Sequence, residues 1–130
     1  MRLKVLGVAA IFTMALTMSA SAHHSHANYA IADFKMLEGV VTQVHLLNPH
    51  SWVYIQVPDD NGVPQTWALE ATGPRGLERR GIAKDWVKVG DRVKVRCHPL
   101  RDNSRGCLLG FLTPAHGDEA RGNGVEKEWD

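Results

Sequence analysis

The chain has 130 residues, 22% of them charged, and a formal net charge of +1 when its seven histidines are neutral. This length suits one small domain with a modest apolar core. The nearly balanced charge lacks the basic excess that is typical of nucleic-acid binders, so we expect no nucleic-acid partner.

The first 22 residues have the features of a secretory signal peptide. Arg2 and Lys4 precede an apolar stretch, residues 5–18, and the small residues at 20–22 form an Ala-Ser-Ala cleavage site. The apolar stretch is shorter than the roughly 20 residues that span a bilayer. We therefore expect a periplasmic or secreted protein with no membrane insertion after signal cleavage.

Cleavage after Ala22 would begin a histidine-rich arm, residues 23–36, with a free amine at His23. An N-terminal histidine binds a cation through its amine and a ring nitrogen. The ordinary pKa of that amine is about 8, so few protons need to be displaced at neutral pH. Imidazole suits copper, zinc and nickel, and we favour copper over zinc or nickel. Cleavage after Ala20 would instead make this histidine the third residue, an arrangement that also binds Cu(II).

The next segment, residues 37–114, predicts five β-strands and one short helix. Strands are expected at residues 37–47, 51–57, 65–71, 92–98 and 107–113. Asn61-Gly62 predicts a hairpin between the second and third strands, and Pro74 and Gly81 bracket the helix. This order predicts an all-β fold with one short helix, a five-stranded OB-like Greek-key barrel, with an SH3-like barrel as the rival.

The last segment, residues 115–130, is rich in glycine and charge and offers little to bury apart from Trp129. Such a composition favours disorder. We therefore expect a disordered C-terminal tail.

The predicted metal site combines the arm with one loop of the barrel. OB-fold ligands commonly meet the second and third strands and the loops beside them, and His50 lies in the first such loop. We therefore expect the metal ligands to be His23, His24, His26 and His50. The alternative is a flexible tail whose histidines bind metal only weakly.

A second predicted surface is a ligand face on the barrel. Trp52 and Tyr54 share the less apolar side of the second strand, where they form either an aromatic platform for a ligand or packing under the arm. Arg79 and Arg80 lie in the last turn of the helix. They either offset the negative end of the helix dipole or bind an anion.

The two cysteines, Cys97 and Cys107, flank a polar turn at residues 101–106. An antiparallel hairpin would bring them almost opposite each other, within disulfide range. An even cysteine count in an exported protein favours a disulfide. The alternative is that both are small apolar residues that pack in the core.

The combined motifs resemble a group of small exported bacterial proteins that is classified only as a domain of unknown function. These motifs are HHS at 23–25, LEG at 37–39, NPH at 48–50, and GP at 73–74 followed by L-x-R-R-G at 77–81. The resemblance spans roughly residues 23–113. It implies an OB-like barrel, a periplasmic or secreted location and no established activity. It also draws attention to the HHS and NPH segments, whereas the cysteine pair is not part of the pattern.

No catalytic set stands out in the sequence, because the serines lack a nucleophile-elbow context and the cysteines are explained by a hairpin. We therefore expect no enzyme but an exported binding module that holds a transition metal, copper favoured. The alternative is an envelope module that binds a small ligand or an envelope protein and has no metal role. A copper-dependent oxidase built on an N-terminal histidine chelate is a third, minor hypothesis.

Overall fold

The protein is a closed five-stranded β-barrel with one short helix, seen in a computed structural model that describes residues 26–130. The proposed signal peptide, His23 and His24 lie outside the described residues. In chain order the elements are β1 (Lys35–His45), β2 (His50–Pro58), β3 (Pro64–Thr72), α1 (Pro74–Arg79), β4 (Arg92–Pro99), β5 (Gly106–Pro114) and β6 (Lys127–Glu128). Short 3₁₀ turns occur at His26–Asn28 and Glu119–Arg121.

The strand order confirms the predicted OB-like topology. The sheet runs β3-β2-β1-β4-β5, and a parallel pairing of β3 with β5 closes it into a barrel. The helix lies between β3 and β4, as the Greek-key order of an OB-fold requires. The predicted strands and the observed strands agree to within about two residues at each end, which is the usual uncertainty of such boundaries.

The barrel core consists of the apolar residues that alternate along the strands. On β2, Val53 and Ile55 are fully buried, and on β4, Val93 and Val95 have the same role. The intervening side chains therefore point to the outer surface of the barrel, because successive residues of a strand face opposite sides.

The long first strand depends on Gly39, where neighbouring strands approach closely. A Cβ atom at this position would lie 2.3 Å from the carbonyl oxygen of Gln56, a distance that no side chain tolerates. A register irregularity follows between Val41 and Gln43. A β-bulge of this kind bends the strand and increases its local twist.

The predicted disulfide between Cys97 and Cys107 is confirmed. The two Cα atoms are 5.5 Å apart, and both residues are completely buried. The bond joins β4 to β5 beside the turn that connects them.

The C-terminal segment contradicts the predicted disordered tail. Asp118 caps the second 3₁₀ turn by accepting hydrogen bonds from two backbone N–H groups, and β6 pairs with β5. Arg121 binds Asp91, and Trp129 is 2% exposed with its ring 6.2 Å from that of Trp86. The composition of the segment is polar, but these contacts to distant parts of the chain hold it on the barrel.

Among residues 26–130 there is no helix of the length and apolar character that would cross a bilayer.

Candidate functional site

The candidate site begins with His50, the first residue of β2. It follows the β1–β2 loop, which contains a cis peptide bond between Asn48 and Pro49. The alternation along β2 puts His50 on the outer surface, on the same side as Trp52 and Tyr54. The strand therefore displays a histidine and two aromatic rings in one row.

Next to His50 lies a buried carboxylate, that of Glu70 on β3. In the β2–β3 hairpin Glu70 is paired with Trp52, so it is the diagonal neighbour of His50. Its side chain is only 6% exposed although it projects from the outer face of the sheet. A buried carboxylate is costly unless hydrogen bonds satisfy it, so its partners define the site.

Glu70 has two such partners. Tyr29 donates its hydroxyl hydrogen to Oε2 at 2.5 Å, and Nδ1 of His50 donates to Oε1. An ionised carboxylate can only accept hydrogen bonds, so Nδ1 of His50 carries the hydrogen. In the neutral imidazole the lone pair is then on Nε2, and the side chain is 30% exposed.

The environment of Tyr29 keeps its hydroxyl protonated. Burial, followed by the hydrogen bond to Glu70 and the negative charge of Glu70, raises the pKa of Tyr29 well above its ordinary value. Asp130 contributes further in the same direction. Tyr29 therefore remains a hydrogen-bond donor to Glu70 throughout the physiological pH range.

Tyr29 belongs to the described part of the N-terminal arm, which is fixed to the barrel by backbone hydrogen bonds. Asn28 accepts from the N–H of Arg101, and Ala30 donates to Pro99 at 2.8 Å. Tyr29 forms an isolated β-bridge with Leu100 between these two contacts. The arm thus runs beside the end of β4 and carries Tyr29 over the outer face of β3.

The C-terminal segment reaches the same region. Nε2 of His26 is 3.7 Å from a side-chain oxygen of Asp130, and Arg80 donates to the main-chain oxygen of Asp130. Thr72 of β3 donates to the main-chain oxygen of Trp129 at 2.8 Å. The arm, the helix end and the C-terminal segment therefore meet beside Glu70.

The structure brings together only some of the predicted site residues. His50 contacts Glu70, whereas the partner of His26 is Asp130. Within residues 26–130, no group of three or more His, Cys, Asp or Glu side chains is arranged to hold a metal ion. His23 and His24 lie outside the described residues. The four-histidine ligand set therefore stays a prediction.

The predicted ligand face is divided between two places. The rings of Trp52 and Tyr54 are 6.5 Å apart and inclined by 27°, and His45 packs edge-on against Tyr54 at 5.8 Å. Arg80 is engaged with Asp130 and with the carbonyl of Gly76. Arg79, in contrast, is exposed.

Two residues of the site, Glu70 and Tyr29, are not among those predicted from the sequence. Glu70 could have been found from the hairpin. Residues at equal distances before and after Asn61 pair with each other, which places Glu70 opposite Trp52 and near His50. No comparable local signal exists for Tyr29, because its position depends on contacts between the arm and the distant β4–β5 turn.

The comparisons with known proteins give a family but no activity. The profile described as a family of unknown function (DUF6152) matches residues 11–109. No curated protein and no solved structure matches the chain significantly.

Proposed function

The chain belongs to the DUF6152 family of unknown function, and from the chemistry of its own side chains we propose that it is an exported, non-enzymatic module that binds a transition metal. The metal is copper in preference to zinc or nickel. Its ligands are Nε2 of His50 and the histidines at the start of the arm. The observation that carries the proposal is the hydrogen bond between Nδ1 of His50 and the buried carboxylate of Glu70.

This hydrogen bond supports metal binding because carboxylates beside known metal sites accept the same bond from ligating histidines. Metal-ligating histidines usually donate their other ring N–H to a carboxylate, which fixes the tautomer, orients the ring and raises the basicity of the ligating nitrogen. Glu70 is suited to this role, since it is buried and accepts from His50 directly. An exposed, freely rotating histidine would have none of these advantages.

The path of the arm also supports the proposal. Tyr29 donates to the same carboxylate as His50, so the described start of the arm lies beside the candidate ligand. Tyr29 is the fifth residue after His24, and five extended residues span up to about 17 Å. The N-terminal histidines are therefore within reach of His50.

The disulfide supports the proposed location. Disulfides persist in oxidising compartments, and the bond between Cys97 and Cys107 favours a periplasmic or secreted protein. Removal of a signal peptide at Ala22 would provide the free amine of His23, so export and metal binding are linked in this proposal.

The test is calorimetric titration of Cu(II) into protein whose first residue is His23. We expect one equivalent to bind, and we expect the double variant His23→Ala, His50→Ala to lose this binding. His45→Ala is the matched control, because His45 is exposed on the same sheet, where it hydrogen-bonds Gln43 and packs edge-on against Tyr54. Equal affinities in the wild type and the double variant, with both folded, contradict the proposal.

A second candidate function rests on the aromatic row of β2. Trp52 and Tyr54 are both partly exposed, and their nearly parallel rings suit a flat ligand or an envelope protein. In this case the histidines would have no role. Ligand binding that is undiminished by a metal chelator and abolished by Trp52→Ala favours this function over metal binding.

A further inference from the structure

A cavity of about 410 Å³ lies between the end of β1, the helix α1 and the C-terminal segment, and neither His50 nor Glu70 lines it. Its size is in the range of sites for small organic ligands. Its walls are mostly apolar. They are formed by Val44, Leu46, Leu77, Ile82, Val87 and Trp129.

Two polar features distinguish this cavity from a simple packing defect. The indole N–H of Trp129, a residue that is 2% exposed, has no hydrogen-bond acceptor among the described residues. A buried donor without an acceptor is rare in native proteins. Trp129 is itself one of the residues that line the cavity.

The rim of the cavity is positively charged. Arg75 and Lys84 are exposed at the rim together with Glu78, and none of the three forms an ion pair within residues 26–130. The surrounding segment 74–88 has five Lys and Arg residues against two Asp and Glu. The field at the rim therefore favours an anion.

We propose that this cavity binds a small amphiphile with one apolar chain and an anionic head. The chain lies against the apolar walls, where burial of its surface away from water is favourable. The head group lies at the rim and pairs with the cations of Arg75 and Lys84. This site does not depend on metal binding at His50, so each proposal can fail without the other.

The test uses decanoate as the probe, with decanol as the uncharged control of equal chain length, and both titrations are made with a chelator present. We expect decanoate to bind one to one and more tightly than decanol. We also expect the NMR signal of the Trp129 indole N–H to shift with the same binding curve. Equal affinities for the two probes, or an indole signal that does not move, overturn the proposal.

Variants separate a local site from the general charge of the segment. The double variant Arg75→Gln, Lys84→Gln should weaken decanoate binding by about threefold to tenfold, as expected for two partly exposed ion pairs. The matched control, Arg79→Gln, Lys88→Gln, changes the charge equally at positions that do not line the cavity, and it should keep its affinity. Equal losses in both variants overturn the assignment.

A steric variant tests the cavity itself. Ala83 lines the cavity and is exposed, so Ala83→Trp fills the space without removing a core side chain. We expect decanoate binding to be lost while the thermal unfolding temperature stays close to that of the wild type. A folded Ala83→Trp protein that binds decanoate as well as the wild type overturns the proposal.

Discussion

Replacement of Glu70 by Gln tests the part of the site that the structure defines best. The variant keeps the size of the side chain, but one oxygen becomes an NH₂ group, which cannot accept a hydrogen bond. Either Tyr29 or His50 then loses its acceptor, and the remaining bond is no longer assisted by charge. A hydrogen bond to a charged group contributes about 1.5–3 kcal/mol, so we expect the metal-free protein to lose about 2–3 kcal/mol of unfolding free energy.

The same variant should also weaken metal binding. Loss of a group that hydrogen-bonds a metal-ligating histidine typically lowers metal affinity by about 10- to 100-fold, which corresponds to about 1.4–2.8 kcal/mol. Urea denaturation measures the first effect, and calorimetric titration of Cu(II) into protein that begins at His23 measures the second. Tyr29→Phe separates the effect on stability from the effect on metal affinity. It removes one hydrogen bond to Glu70 but leaves the bond between Glu70 and His50.

The control for Glu70→Gln is Glu126→Gln. Glu126 is an exposed carboxylate that accepts two hydrogen bonds from Arg96, so its loss should cost less than about 1 kcal/mol and leave metal binding unchanged. A folded Glu70→Gln protein with the stability and Cu(II) affinity of the wild type would refute the reasoning that Glu70 holds both partners.

Three further predictions concern the fold. Reduction of the bond between Cys97 and Cys107, which are 10 residues apart, should lower the unfolding free energy by about 2.7 kcal/mol on the chain-entropy model, and unchanged urea midpoints with reductant would contradict this. Burial opposes ionisation of Asp91, but hydrogen bonds from Arg121 and the Lys88 N–H outweigh it and lower the pKa of Asp91. Stability from this pair is therefore present at neutral pH and is lost as the pH falls below the ordinary Asp value of about 3.9. Arg121→Gln should cost about 1–3 kcal/mol at pH 7 and flatten this part of the acid denaturation profile, whereas an identical profile would argue against the pair. Trp129→Ala should cost about 3–5 kcal/mol and remove hydrogen-exchange protection from the C-terminal segment, but a disordered tail would leave both quantities unchanged.

The barrel could be predicted from the sequence because each strand has a recognisable pattern within a few consecutive residues. Val53 and Ile55 alternate with Trp52 and Tyr54, which is the period of a half-buried strand. The turn at residues 61–62 fixes the register of the hairpin, and the position of α1 after the third strand distinguishes the OB-like order from its rivals.

The site and the C-terminal segment could not be predicted in the same way. Glu70 looks like a solvated residue of a strand until Tyr29 covers it, and that contact spans 41 residues of sequence. Trp129 is surrounded by glycines and charges, which favour disorder by composition. It is nevertheless buried, because its ring packs near that of Trp86 and its backbone N–H donates to Gly110 of β5. Composition describes the neighbours of a residue along the chain, whereas burial depends on its neighbours in space.

Electron paramagnetic resonance of the processed protein with one equivalent of Cu(II) tests the central claim most directly. The nitrogen splittings report how many imidazoles coordinate the ion, so His50→Ala should remove one nitrogen from the pattern and His45→Ala should not. If the wild type and His50→Ala give identical spectra, the copper of this protein does not bind at His50, and the proposed site is wrong.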